Sequence, residues 1–306
     1  MPAKNAQSMI RASFLGDSLS LGAHWIYDQE AIKRKIGRVN TLLAPLPASQ
    51  HASQQAGAFT HYGDQTLILM QSLAGCKGFD LQDFAARWRR FWEKAQSYRD
   101  QATKGTLANM QAGKGPEASG SQSNDLAGAA RIAPLIYALG QDEQTLIQAA
   151  RAQTAMTHAD QNVVDSAEFF TRVVLEVFNG LRPVSAVEKA AAFSYAHLPV
   201  KKWVRTGLDA AAEESTTAIQ DLGKTCHAPH AFPGTVQLIA RHEDNLKEAL
   251  VQCVMAGGDS AARGLLVGMV LGAFHGEAAV PAEWKQELQA GEEIESLLQD
   301  IAVWAQ

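Results

Sequence analysis

Two Gly-Asp turns carry the clearest chemical signal in this 306-residue chain. The early one, Tyr62-Gly63-Asp64-Gln65-Thr66, opens the apolar run Leu67 to Leu73; the late one, Gly257-Gly258-Asp259-Ser260, opens Ala262 to Phe274. Each sets an aspartate at or near a helix N-terminus, where free backbone N–H groups and the helix dipole stabilise its charge. Taken singly, either is an ordinary N-cap.

The elements that must position these turns are helices. Alanine, leucine, glutamine and glutamate dominate, and no strand pattern competes. From Leu81 to Ser97, Phe84, Trp88, Phe91 and Trp92 recur at helical spacing, with Arg87, Arg89, Arg90 and Glu93 elsewhere on the turn. The same period predicts helices over Glu143–Ala152, Asn162–Phe178, Ala186–Tyr195, Leu208–Ile219, Leu246–Met255, Ala262–Phe274 and Ile294–Trp304. Asp80, Ser123 and Asp160 stand where N-caps belong. Three stretches, 38–63, 113–124 and 223–234, interrupt the rhythm and read as loops, none of them long enough to separate domains. The expectation is one all-α domain spanning 1–306.

Composition narrows the function. With 27 basic against 32 acidic residues and a net charge of −5, the chain offers no nucleic-acid footprint. No apolar stretch is long enough to span a bilayer, and three scattered cysteines suit a reducing cytoplasm. Gly16-Asp17-Ser18-Leu19 looks like the nucleophile block of the GDSL serine esterases, but Met9, Ile10, Ser13 and Phe14 place it on a helix, without an Asp-x-x-His partner. Gly113-Lys114-Gly115 to Ala118 mimics a dinucleotide string without its strand, and Cys226-His227 with His230 is half a zinc site at most.

Set in order, the remaining motifs resemble the ADP-ribosylglycohydrolase family, which includes the dinitrogenase-reductase-activating glycohydrolases and the J1 crystallins. Gly16-Asp17 with Gly22-Ala23 is similar to its N-terminal Gly-Asp segment, and Tyr62 to Thr66 occupies the place of its Thr-Asp-Asp-Thr block. Asp100, Arg131-Ile132-Ala133-Pro134 and Thr157-His158 follow in family order, and Gly257-Gly258-Asp259 through Gly276 resembles the terminal Gly-Gly-Asp-x-Asp-Thr helix. The resemblance implies an all-α fold whose cleft binds ADP-ribose over two Mg²⁺ or Mn²⁺ ions.

It also implies six metal-ligand positions, which here read Gly63, Asp64, Gln65, Asp259, Ala261 and Ala262. Only Asp64 and Asp259 keep a carboxylate. Hard cations want several oxygen ligands, so the expectation is one weakly bound Mg²⁺ or Mn²⁺, assisted by the Gln65 carbonyl, or no metal. Arg263, four residues beyond Asp259, is expected to supply fixed positive charge through a contact with Asp259 or Asp64. Asp100, whose family counterpart contacts the ribose, is the expected catalytic carboxylate. Gly16, Asp17, His61, Arg131, His158, Gly258 and Arg263 are expected around the ligand, the two histidines titrating near neutrality. The expected activity is cleavage of a ribosyl N- or O-glycosidic bond on a small molecule or an ADP-ribosylated substrate. The alternative is a non-catalytic member that binds a nucleotide-sugar-like ligand or serves a structural role.

Overall fold

The computed structural model describes residues 3–95 and 97–305, and within them every regular element is helical. At its centre the helix Ala3–Leu21 lies against Ser260–His275, joining the two ends of the chain. Their contact is set by small residues. A Cβ on Gly16 would fall 2.1 Å from Gly264 O, one on Gly268 2.1 Å from Ala12 O, and one on Gly272 2.8 Å from Ser8 O. The partner residues descend as the glycines ascend, so the pair is antiparallel and close enough for backbone to meet backbone. Ser13 Oγ adds a hydrogen bond to Leu265 O at 2.9 Å. Nearly all of Ser260–His275 is buried, as expected of a helix apolar all round.

The other helices pack round this pair. The predicted caps at Asp80 and Asp160 hold, accepting from Gln82 and Asp83 N and from Asn162 and Val163 N. Ser123 caps nothing; its hydroxyl accepts from Asp125 N within a turn. Leu208–Ile219 is not one helix but two, Val200–Asp209 and Ser215–Leu222, separated by a short 3-10 turn. The stretch 223–234 is largely helical rather than a loop: Ala228–Arg241 starts with Pro229 in its first turn and carries Pro233 inside. Pro233 forfeits a backbone hydrogen bond, but Phe232, stacked among Phe169, Phe170 and Trp203, anchors the segment in the core.

The proposed esterase block sits inside the first helix, with Ser18 Oγ bonded to Ala58 O at 2.9 Å. No strand precedes it, so the serine lacks the exposed turn that a nucleophile of that kind needs.

Candidate functional site

Asp17 organises the early turn from below. Fully buried, it accepts hydrogen bonds from Thr60 N, Thr60 Oγ1 and Gly63 N at 2.8, 2.6 and 3.1 Å. Thr60 caps the helix His61–Cys76, so Asp17 fixes the start of that helix to the first one. Gly63 has to be glycine here, since a Cβ would lie 2.5 Å from Asp17 Oδ2. Burial pushes Asp17 up to about 7 despite these donors, and burial together with the Asp17 charge pushes Asp64 up to about 8. Asp64 is thus largely protonated at neutral pH.

The neighbours of Asp259 are different. Its carboxylate caps Ser260–His275 through Ala262 N and accepts from Trp25 Nε1 at 3.1 Å and Tyr62 Oη at 2.9 Å. The Tyr62 hydroxyl also lies 3.1 Å from Asp125 Oδ2. One hydroxyl proton cannot serve both carboxylates, so the second contact calls for a proton on one of the two carboxyls. Burial, with the charges of Asp259 and Asp100 nearby, pushes Asp125 well above the usual carboxylate range. Cys226 completes the group: its sulfur and one oxygen each of Asp125 and Asp259 all lie within 4.8 Å of one another. Burial and the two carboxyls push the thiol up as well.

Backbone pairing brings these three together. Leu126 N donates to Cys226 O, Ala228 N to Asn124 O, and Asp259 N to Lys224 O. The polar stretch 113–124 is fastened at its end, with Ser121 paired across to Thr157 and Ala159. Asp125 follows that stretch with no periodicity to mark it, and only this pairing reveals it.

Asp100 caps the next helix, Gln101–Gln111, through Thr103 N at 2.6 Å. Its other oxygen lies 3.4 Å from His61 Nε2, and His61 Nδ1 meets His51 Nε2 at 3.1 Å. Burial pushes Asp100 up, but the nearby His61 imidazole and the Thr103 amide outweigh it and hold the carboxyl well below the usual range. Asp100 and Asp125 therefore flank His61 and Tyr62 with opposite protonation preferences.

Several expected ligand contacts take other roles. Gly16 is packed on Gly264. Arg131 is buried and spent on Gln153, Gln65 and Thr157. His158 Nδ1 meets Thr157 Oγ1, and burial with the Arg131 charge moves its pKa down to about 3, not near neutrality. Gly258 holds backbone: at φ +69 it accepts from Trp25 N and donates to Ile26 O, and a Cβ would strike Lys224 O at 2.1 Å. Arg263 is neither at the surface nor paired with Asp259 or Asp64. Its Nη2 donates to Gly257 O at 2.6 Å, and Nε and Nη1 have no hydrogen-bond partner. The i+4 relation fails because Asp259 is a cap residue, at ψ 82, whose side chain turns toward Trp25 and Tyr62 rather than along the helix.

The family model for ADP-ribosylglycohydrolase matches residues 2–305. The chain belongs to the ADP-ribosylglycohydrolase family. Among its relatives is Crystallin J1B of Tripedalia cystophora, 24% identical over 312 residues that cover 94% of this chain and 93% of the relative. ADP-ribosylhydrolase ARH3 of Gallus gallus is 22% identical, covering 78% of this chain and 77% of its own. A solved structure described as an ADP-ribosylglycohydrolase-related protein complex superposes with a TM-score of 0.74 at 20% identity, covering 99% of both chains, and supports the same fold.

A two-ion centre does not fit this member of the family. Asp64 is not among the ligand atoms that converge on Asp259, and Ala261 and Ala262 are fully buried and apolar. Gln65 is saturated: Oε1 accepts from Arg131 and Trp88 at 2.8 Å, and Nε2 donates to His61 O. The set of three ligand atoms that does converge among the described residues is Asp125, Cys226 and Asp259, and its thiol favours a softer ion than Mg²⁺.

Proposed function

We propose that this chain hydrolyses a ribosyl N- or O-glycosidic bond of an ADP-ribosyl or related conjugate, using carboxyl groups without a paired metal centre. The observation that carries this reading is the contrast between two carboxyls: Asp100 accepts from Thr103 N and lies 3.4 Å from His61 Nε2, which favours its ionised form, whereas Asp125 is buried beside Asp259 against the Tyr62 hydroxyl, which favours its protonated form. Carboxyls pushed apart in this way divide acid and base work. Asp100 is the carboxylate that meets positive charge developing at the anomeric carbon, and Asp125 the acid that protonates the leaving atom. A single Mg²⁺ or Mn²⁺ bound weakly at Asp259 is compatible with this scheme, and no step depends on it. The setting we propose is the cytoplasm, which suits three free thiols, with a small molecule or ADP-ribosylated protein as substrate.

The test is release of ADP-ribose from serine- and arginine-linked conjugates, with and without chelator. Turnover that survives chelation and falls at least a hundredfold in both Asp100→Asn and Asp125→Asn supports the proposal. A second reading, binding without turnover, is favoured by the burial of the carboxyl group: Asp259 is fully buried and Asp125 only 6% exposed. Ligand binding with no release from any conjugate would establish that reading instead.

A further inference from the structure

Beside the carboxyl group lies a cavity of about 470 Å³, bounded by Gly22, residues 24–27, Leu46, residues 48–50, Lys35 and Tyr98. Its volume is in the range of about 300–1,000 Å³ that small-molecule sites occupy. The residues that wall it are not those to which the hydrolytic scheme gives chemistry.

Trp25 is the main wall, and its backbone is strained. It stands at φ +64, a conformation costly for a bulky side chain, locked by the paired bonds of Trp25 N to Gly258 O and Gly258 N to Ile26 O, both 2.9 Å. The lock holds the indole over His24, with centroids 4.5 Å apart, and edge-on to Tyr98 at 5.0 Å. Trp25, Tyr98 and the half-exposed Tyr27 thus line one space. On its floor His24 is buried with neither ring nitrogen hydrogen-bonded, and His51 Nδ1 behind it also lacks a partner. A neutral imidazole offers one donor and one acceptor, and leaving them unmet in a protein interior is costly. Burial keeps His24 neutral, so it adds no charge. At the rim Lys35 is exposed and has no ion-pair partner among the described residues, whereas nearby Lys33 is paired with Glu30.

We propose that this cavity binds a planar heteroaromatic ring carrying an anionic group, the ring against Trp25 and Tyr98 and the anion at Lys35. Aromatic walls select a flat ring by stacking, and the ammonium group selects the negative substituent. The proposal holds whether or not the chain hydrolyses a glycosidic bond.

The probes therefore contain no such bond: quinoline-2-carboxylate, its neutral carboxamide, and cyclohexanecarboxylate, titrated into the full chain by ligand-observed NMR. The carboxylate of the aromatic ring should bind at least fivefold more tightly than either comparison compound. Lys35→Ala should erase its advantage over the carboxamide, and Tyr98→Leu, checked for an unchanged helical spectrum, should weaken both aromatic probes at least threefold. Absence of binding, equal binding of the saturated acid, or indifference to both substitutions would overturn the proposal. None of these outcomes depends on turnover, so its failure and that of the hydrolase reading are told apart.

Discussion

Asp64 shows how burial and a neighbouring carboxyl change the proton affinity of a residue at a helix start. Its carboxyl sits beside buried Asp17, and both prefer the proton, at about 8 and about 7. A carboxyl raised in this way contributes stability that is complete below its ordinary pKa of 3.8 and lost as the pH climbs through the raised value. His51 and His158, lowered to about 3, act in the opposite sense: their contribution is complete above 6.5 and lost as the pH falls. Between pH 6.5 and 8.5 the histidines are silent and the carboxyls are not. The melting temperature of the protein should fall over that interval, and Asp64→Asn should flatten the fall by on the order of 1 kcal/mol. Melts at the two pH values check this, and identical slopes for the two proteins would sink it. Asp64 and Asp259 were legible as carboxylates near helix starts; that Asp125, rather than Asp64, faces Asp259 was not, because 134 residues and a backbone pairing separate them.

At the level of elements, the contact between the first helix and Ser260–His275 carries much of the fold. Gly268 meets the Ala12 carbonyl where even one methyl group has no room. Gly268→Ala should force the two helices apart and cost about 1–3 kcal/mol, as overpacking does, despite the better helix propensity of alanine. Chemical denaturation measures it, and a stabilised variant would refute the close approach. Arg263, in the same helix, is a buried cation tied to the Gly257 carbonyl and to no carboxylate. Arg263→Ala should cost on the order of 1–3 kcal/mol by freeing that carbonyl and opening a void, and its effect should not diminish in high salt. Strong salt dependence would point instead to an ion pair. The helix period was readable over several turns with one apolar face, as in Leu81–Lys94; Val200–Asp209 was missed in favour of a run from Leu208, and Ala228–Arg241 was missed because two prolines masked a helix that core packing enforces.

For the whole molecule, the decisive feature is that the ligand set implied by the family has come apart while the fold around it remains. Mn²⁺ titrated calorimetrically should show no pair of tight sites; two equivalents bound at micromolar affinity would contradict the geometry of Asp64, Gln65, Ala261 and Ala262. No helix among the described residues is long and apolar enough to cross a membrane.

The sequence by itself determined the all-α class, the family, and the loss of most metal ligands, because helical periods and motif order are local properties that survive in one dimension. It placed Asp100 and Asp259 at helix starts for the same reason: capping depends on a residue and the next three amides. Tertiary structure alone decided which carboxyls meet. Asp125, Cys226 and Asp259 converge through pairings between distant turns, Tyr62 bridges two of them, and burial sets their protons. Those are properties of desolvation and distance, and neither is written in the order of residues along the chain.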